Sequence, residues 1–361
     1  MISDATGNLY GTTTDGGTYN HGTIFQLQPS GSSYDERVIW DFPRGRRGKT
    51  STAGLALDAA GRLYGTTIYG GNYGRGTLFH VSTFLPPNKH DAWNFGSGSD
   101  GRVPISQPVI GPDGGLYGTT ELGGLYGGGT VYQVVRSGHT YSERVLYNFG
   151  ASNDGCSPAG PLTFDNRGAI YGATLGGGAA GCQGHGTVFK LTPSGSGYTE
   201  SVLWAFAGPP NDGSTPTQGV AIARSGALFG TTMFGGNGGG CSFECGTVFK
   251  LTPSRGKYTE RVIWNFAGPA DGYYPDSNVI VGPRRRLYGT TYMGGNGNGS
   301  LFELAPAGAQ YTKKILWSFG YGSDGYAPRG WLLAGKDGAF YGTTEYGGSN
   351  KWFGTVFKVV P

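Results

Sequence analysis

The chain has 361 residues, 72 of them glycine, with 14% aromatic residues, 14% charged residues and a formal net charge of +4. That length suits two ordinary domains or one large repeat architecture, and the aromatic content argues against the disorder that so much glycine alone would suggest. No 18-residue apolar stretch exists, which excludes a membrane-spanning helix, and the small charge gives no reason to expect a nucleic-acid partner.

The first strand-like segment, "MIS" at Met1–Ser3, leads into "LYGTTTDGG" at Leu9–Gly17. Near-copies recur at Leu63–Gly71, Leu116–Gly124, Ile170–Gly178, Leu228–Gly236, Leu287–Gly295 and Phe340–Gly348. The glycine after the aromatic falls at 11, 65, 118, 172, 230, 289 and 342, at intervals of 54, 53, 54, 58, 59 and 53 residues. Periods of this size signal propellers or solenoids. No signal peptide is read at Met1–Thr13, so if the protein is secreted its leader is expected to have been removed or to lie outside these residues.

Blade 1 is expected over about residues 1–42. The basic run "RGRRGK" (Arg44–Lys49) follows it and reads as a solvated loop, as does "RRR" (Arg284–Arg286), because no basic stripe recurs through the repeats. Its "GKT" fails as a phosphate-binding loop, since the upstream glycine would have to be Pro43. Blade 2 (51–96) shows four β-like segments: "GLALD" (Gly54–Asp58), "RLYGTTI" (Arg62–Ile68), "GTLFHV" (Gly76–Val81) and "DAWNF" (Asp91–Phe95). Blade 3 spans 104–150. In blades 4 (158–207) and 5 (216–267) the last two segments are clearest, as "GTVFKLTPSGSGYTESVLWAF" (Gly186–Phe206) and "GTVFKLTPSRGKYTERVIWNF" (Gly246–Phe266). Val and Phe alternate there as in a strand buried on both faces.

Blades 6 (275–319) and 7 (328–361) complete the series. Gly and Pro interrupt every window long enough for a helix. The expectation is an all-β, single seven-bladed β-propeller over residues 1–361, with four-stranded antiparallel blades. Blade 7 stops at "GTVFKVVP", its third strand, and lacks the outermost one. Its edge, Thr355–Val360, is expected either to self-associate or to receive a strand from a longer chain.

The pattern "P…L..D..G.LYGTT..GG…GTVFKLTPSG..YTE.VLW.F.G..DG" resembles the GloVer-type tandem repeats of bacterial exported and surface-anchored proteins. It is also distantly similar to the sensor-propeller repeat "D..G.LWIGT..GG". The resemblance implies a propeller and an exported protein, and it implies no activity. By analogy with those repeats "L.L" is innermost and "VLW.F" outermost. The "..GG….G" and "F.G..DG..P" loops then share a top face, where length and variation concentrate.

The repeated Tyr (Tyr10, Tyr64, Tyr117, Tyr171, Tyr288, Tyr341) and Trp (Trp40, Trp93, Trp204, Trp264, Trp317) could stack on sugars, but inter-blade packing weighs more. The Asp of the "DG" loops (Asp100, Asp154, Asp212, Asp271, Asp324) reads as a turn former rather than a cation ligand. Cys156 and Cys182 occupy the two top loops of blade 4, and Cys241 and Cys245 share one loop of blade 5. The Cys-x3-Cys spacing of the latter pair could be half of a zinc site, but no second pair matches it. Two disulfides, 156–182 and 241–245, are preferred, and imply an oxidising compartment. No metal and no cofactor is expected.

Departures from the repeat carry the candidate chemistry. Asp15, Glu121 and Glu345 stand at the top ends of second strands, and blades 7 and 1 adjoin in a closed ring. Asp15 with Glu345 is therefore the candidate acid–base pair for glycoside hydrolysis, with Glu121, His21 and His185 as weaker candidates. Gln107, Gln218, Asp276, Asn278, Arg329 and Trp331 enter the innermost strands and suit a sugar or an anionic glycan. The reading ranked first is an exported propeller holding a glycan or protein partner at the channel mouth. A glycan hydrolase or lyase comes second, and a cell-surface structural or assembly protein third.

Overall fold

The second strand of six blades is shaped by its glycine. Tyr, Thr and Thr favour a pleated strand, and in the computed structural model the glycine between them lies beneath a ring of the third strand. A Cβ built on Gly11 would stand 2.5 Å from the Phe25 ring, and one on Gly342 would stand 2.4 Å from Phe357. The same approach recurs at Gly65 with Phe79, Gly118 with Tyr132, Gly230 with Phe249 and Gly289 with Phe302. Gly11 is not among the glycines with positive φ, so the demand is for space rather than for an unusual backbone.

The structure describes residues 1–44, 48, 50–51, 53–84, 87–151, 153–178, 181–241, 244–321, 324–348 and 352–361. Of the basic run Arg44–Lys49, only Arg44 and Gly48 fall among them. The chain is an all-β, seven-bladed propeller. Six sheets have four antiparallel strands in sequence order, as in blade 1: Ile2–Ser3, Leu9–Thr12, Thr23–Ser30 and Ser33–Asp41. The seventh has three: Tyr326–Ala334, Phe340–Tyr346 and Thr355–Val359. The chain divides into two compact units through blade 4. Unit 1 comprises Met1–Ser152, Cys156–Ile170 and Leu191–Glu200; unit 2 comprises Asn153–Gly155, Tyr171–Lys190 and Ser201–Pro361.

Several features differ from the sequence reading. Innermost strands are short, such as Ala56–Leu57 and Val109–Ile110. Cys156 opens a nine-residue strand, Cys156–Phe164, rather than sitting in a loop. Two 3-10 turns occur among the described residues, at Gly181–Gln183 and Pro283–Arg285. The second carries most of the "RRR" run: Arg284 and Arg285 are exposed, and Arg286 pairs with Glu303. The "DG" and "GG" loops also pair with each other, Gly101–Arg102 with Leu122–Gly123 and Gly213–Ser214 with Phe234–Gly235. That pairing places both loop types at one end of the blade.

The recurring polar residues are mostly structural. Tyr10 donates to Asp4 at 2.9 Å, Tyr117 to Asp113 at 2.9 Å and Tyr341 to Asp337 at 2.7 Å, so these rings pack and latch the first turn of their blades. The closing Thr of the second strand meets the opening Thr of the third: Thr67 with Thr77 at 2.9 Å, and Thr232 with Thr247 at 2.8 Å. Gly-Thr is thus a hydroxyl-pairing device as well as a backbone one. The "DG" aspartate accepts from the tryptophan indole of the preceding strand. These bonds are Trp93 to Asp100 (3.2 Å), Trp204 to Asp212 (3.2 Å), Trp264 to Asp271 (3.1 Å) and Trp317 to Asp324 (2.9 Å). Trp93, Trp204 and Trp264 are part-buried and Trp317 is exposed, so each bond contributes no more than the roughly 0.5–1.5 kcal/mol of an ordinary hydrogen bond. Six fourth strands end on a buried Phe (Phe42, Phe95, Phe149, Phe206, Phe266, Phe319), each contributing about 1.5–3 kcal/mol of burial.

Fourth strands also carry one inward ionisable group opposite a third-strand Leu or Val. Glu143 faces Val134, Glu260 faces Leu251 and Lys313 faces Leu304. Lys313 meets Asp271 at 2.8 Å, a pairing of opposite charges. Glu143 and Glu260 instead lie near Asp100 and Asp212, and each keeps a buried, unpartnered Oε1. Burial, with those aspartates adding, pushes Glu143 up to about 7 and Glu260 up to about 8, from an ordinary value of 4.5. The neutral carboxyls favour the folded state fully below the unfolded value, and that contribution is lost as pH rises through the folded ones. The buried Met1 amine, lowered to about 6, and His80, lowered to about 4, contribute with the opposite sign, so the test is a comparison: Glu260→Gln should raise the thermal midpoint at pH 8.5 relative to that at pH 5.5, measured against the parent chain. An unchanged difference between the two pH values would contradict the assignment.

Candidate functional site

Unit 2 gathers four of the sequence candidates around one guanidinium. Asp276 is buried just before the innermost strand of blade 6. Its Oδ1 accepts from Gln218 Nε2 at 3.0 Å, and its Oδ2 from Arg329 Nε at 3.0 Å. The Gly330 N–H donates to the Asp276 carbonyl at 3.2 Å, which ties blade 7 to this residue through the backbone as well. Arg329 also reaches Glu345 Oε2 through Nη1 at 3.4 Å. Glu345 Oε2 accepts from the Tyr292 hydroxyl at 2.9 Å, and the guanidinium lies 5.9 Å from the Tyr292 ring centre.

The electrostatics follow from this arrangement. Burial opposes the charge on Arg329, but the Asp276 and Glu345 carboxylates outweigh it and hold its pKa above the ordinary arginine value. Burial, reinforced by Glu345, pushes Tyr292 up to about 12, so its hydroxyl is a donor at neutral pH. The Arg329 side chain remains 58% exposed although it is held from two sides. The result is an oriented cation with carboxylate and phenol neighbours, a set that suits hydroxyl-rich or anionic ligands.

Tyr292 was not among the sequence candidates. Its signal was present: it occupies in blade 6 the position after "GTT" that Glu345 holds in blade 7. Trp331 is half-buried and lines a tight crevice with Arg329, Gly330 and Thr343. A roomier groove of about 450 Å3 is lined by Pro269, Ala270, Asn296, Gly297, Asn298 and Tyr321, among others. The Ala327 N–H donates to the Asn298 carbonyl at 2.7 Å, which puts this groove two residues along the chain from Arg329. Nothing in the repeat pattern marked it, because its lining comes from loops.

The other candidates have separate surroundings. Asn278 binds the Leu332 backbone at both ends of its amide, at 2.8 and 3.3 Å, and so joins innermost strands. Gln107, in unit 1, donates to the Leu55 carbonyl at 2.9 Å, a staple of the same kind. Asp15 lies in unit 1, exposed in the loop after Leu9–Thr12, while Glu345 lies in unit 2. Glu121 is half-buried, its N–H donating to the Val103 carbonyl. His21 Nδ1 donates to the Pro43 carbonyl at 3.1 Å, and His185 Nδ1 meets Ser214 Oγ at 3.0 Å.

The family model described as the Gloeobacter/Verrucomicrobia repeat matches residues 1–199 and again 179–361, which together span the chain. The chain belongs to this repeat family. No curated protein matches it. Among solved structures, it is similar to a hypothetical selenium-binding protein from Sulfolobus tokodaii, at TM-score 0.66 and 10% identity. That match covers 97% of this chain and 86% of the other. A putative 6-phosphogluconolactonase from Bacteroides fragilis gives 0.60 at 12% identity, covering 94% and 87%. The periplasmic gluconolactonase of Pseudomonas aeruginosa gives 0.55 at 11% identity, covering 98% and 99%. Likeness at such identities establishes the fold alone.

In this repeat-family propeller all four cysteines are disulfide-bonded. Cys241 bridges to Cys245 with Cα atoms 5.4 Å apart, which replaces the zinc reading of that pair. Cys156 and Cys182 are bonded as well. Two disulfides point to an oxidising environment, and no helix among the described residues is long and apolar enough to cross a membrane. Thiol titration of the unfolded, unreduced protein should find essentially no free thiol. Four thiols after preparation under oxidising conditions would contradict the bridges.

Proposed function

We propose that this protein is an exported bacterial binding module that holds a glycan at the inner, loop-bearing end of blades 5 to 7. The single observation that carries the reading is Arg329, gripped by Asp276 and Glu345 yet more than half exposed. A side chain fixed in advance loses little freedom on binding, so its remaining N–H groups can be spent on the ligand. Tyr292 donates, Glu345 accepts, and Gln218 holds Asp276 in place behind them. Innermost propeller strands line the central channel, so the cluster would face a ligand at the channel mouth. Trp331, Tyr321 and the Asn296–Asn298 groove would extend the contact along a polymer. The disulfides support a location outside the cytoplasm.

Binding is favoured over hydrolysis by the state of the carboxylates. Hydrolysis needs two that flank a scissile bond with access to it. Asp276 is buried and already occupied by Arg329 and Gln218, which suits a positioning residue better than a nucleophile. A glycan array followed by calorimetry on the best binder tests the proposal. Arg329→Ala should weaken binding by about tenfold or more, the loss expected for a charge-assisted hydrogen bond. Asp276→Asn should weaken it less, with the fold intact. Unchanged affinity in Arg329→Ala would remove this site. Release of reducing ends that Glu345→Gln abolishes would restore the hydrolase.

A further inference from the structure

The turn between the first and second strands contains a left-handed glycine in six blades, and blade 6 departs from them. Gly7, Gly61, Gly114, Gly168, Gly226 and Gly338 stand three residues before the repeated aromatic, with φ between +74° and +91°. In blade 6 that place is held by Arg285 at φ 60°, and Arg284 before it stands at φ 55°. The frame of the turn is unchanged. The Gly282 N–H donates to the Arg286 carbonyl at 2.8 Å, as Gly111 does to Gly115 and Gly335 to Ala339, both at 2.8 Å. Glycine would therefore fit, and the arginines are kept in a backbone region that disfavours any residue with a Cβ. Strain retained where glycine would relieve it points to a use for the side chain.

The charges around that turn are mostly of one sign. Residues 282–286 hold no carboxylate, whereas the turns of five other blades carry Asp4, Asp58, Asp113, Asp165 and Asp337. In blade 5, Arg255 and Lys257 form the turn of the outer hairpin, and Arg261 follows on its second strand, Lys257–Asn265. Arg261 donates to the Ala309 carbonyl in the corresponding turn of blade 6. Burial pushes the Tyr311 hydroxyl up while Arg285 and Arg261 pull against it, so both guanidiniums stand near one ring. Lys314 lies on the same strand as Tyr311, and the Glu303 carboxylate near it is held by Arg286. Arg255, Lys257, Arg261, Arg284, Arg285 and Lys314 are all exposed, and among the described residues none of them forms an ion pair. All six belong to unit 2.

We propose that this corner of blades 5 and 6 binds an acidic polysaccharide through the carboxylate or sulfate groups repeated along it. Four of the six cations are guanidiniums, whose planar donors match such oxygens. Charges spread over separate turns suit anions repeated along a chain better than one small ion. A lipid surface fits less well. No large hydrophobic side chain is exposed in residues 254–257, 282–286 or 306–314, which leaves nothing to insert into a bilayer. Single-stranded nucleic acid would call for exposed rings on which bases stack, and Tyr311 is half-buried. The corner is separate from the Arg329 cluster and does not rest on it. Turn 282–286 precedes the strand Leu287–Thr291, whereas Tyr292 follows the other end of that strand.

The test is binding of the whole protein to immobilised polygalacturonate and dextran sulfate at physiological salt. The parent chain should bind at least one of them, and more tightly as salt is lowered. Arg285→Gly should weaken that binding by about tenfold, the loss expected for a charge-assisted contact. Its thermal midpoint should equal or exceed the parent's, because glycine suits the left-handed backbone. Arg167→Ala removes an exposed charge from the matching turn of blade 4 and should change neither quantity. Unchanged binding in Arg285→Gly would overturn the proposal, as would a parent chain that binds neither polymer. Equal weakening by Arg167→Ala would reduce the effect to net charge and overturn it too. A lower midpoint in Arg285→Gly would give the arginine to the fold. Tighter binding to phosphatidylglycerol vesicles or to single-stranded DNA than to either polymer would reject the polysaccharide in favour of that partner.

Discussion

Everything in this fold depends on how closely two strands can approach when one of them lacks a Cβ. An aromatic ring on the third strand of a blade lies across the glycine of the second, so close that an added Cβ would force the ring to shift. Rings from neighbouring blades then meet, as Phe42 does with Phe79 at 5.5 Å and Phe266 with Phe302 at 5.3 Å. This packing explains why the same tetrapeptide recurs: the sheet, the ring and the blade-to-blade contact are one requirement expressed at each period. Buried rings therefore share the core with buried Leu, Ile and Val, each ring filling a volume that glycine has left open.

Against that constant frame, the proposed function rests on the exceptions. Six of the seven positions following "GTT" or "GAT" differ from one another, and the pair at Tyr292 and Glu345 is brought together only because blades 6 and 7 are adjacent. Asp276 and Arg329 are likewise departures from the pattern at the entry to innermost strands. Residues that hold blades together have partners of fixed geometry, whereas Arg329 keeps donors to spare. The distinction is one of hydrogen-bond capacity left over rather than of residue type.

The periodicity made the fold legible, down to the missing strand of blade 7, because a strand count survives without any knowledge of contacts. The site was legible in part. Asp276, Arg329, Gln218 and Glu345 stood out from the repeat and do cluster, whereas Asn278 and Gln107 stood out equally and serve as staples. A single sequence does not distinguish an amide that joins a charged cluster, as Gln218 does, from one that binds a neighbouring backbone, as Asn278 and Gln107 do. The Trp–Asp bonds and the Thr–Thr pairs were missed for a related reason. Each joins residues read separately as packing or turn formers, and spacing gives no account of a bond between two constants. The groove beside Asn298 left no trace, since loops of unequal length form it.

The packing constraint is tested most directly by a double-mutant cycle on Gly11 and Phe25. Gly11 has an ordinary strand backbone, so alanine there would stabilise the chain slightly if conformational entropy alone mattered. The account predicts the opposite sign: Gly11→Ala should destabilise the fold by about 1–3 kcal/mol through overpacking. In the Phe25→Leu background the same substitution should cost much less, giving a coupling well outside additivity. A neutral or stabilising Gly11→Ala, or strictly additive effects in the double variant, would contradict it.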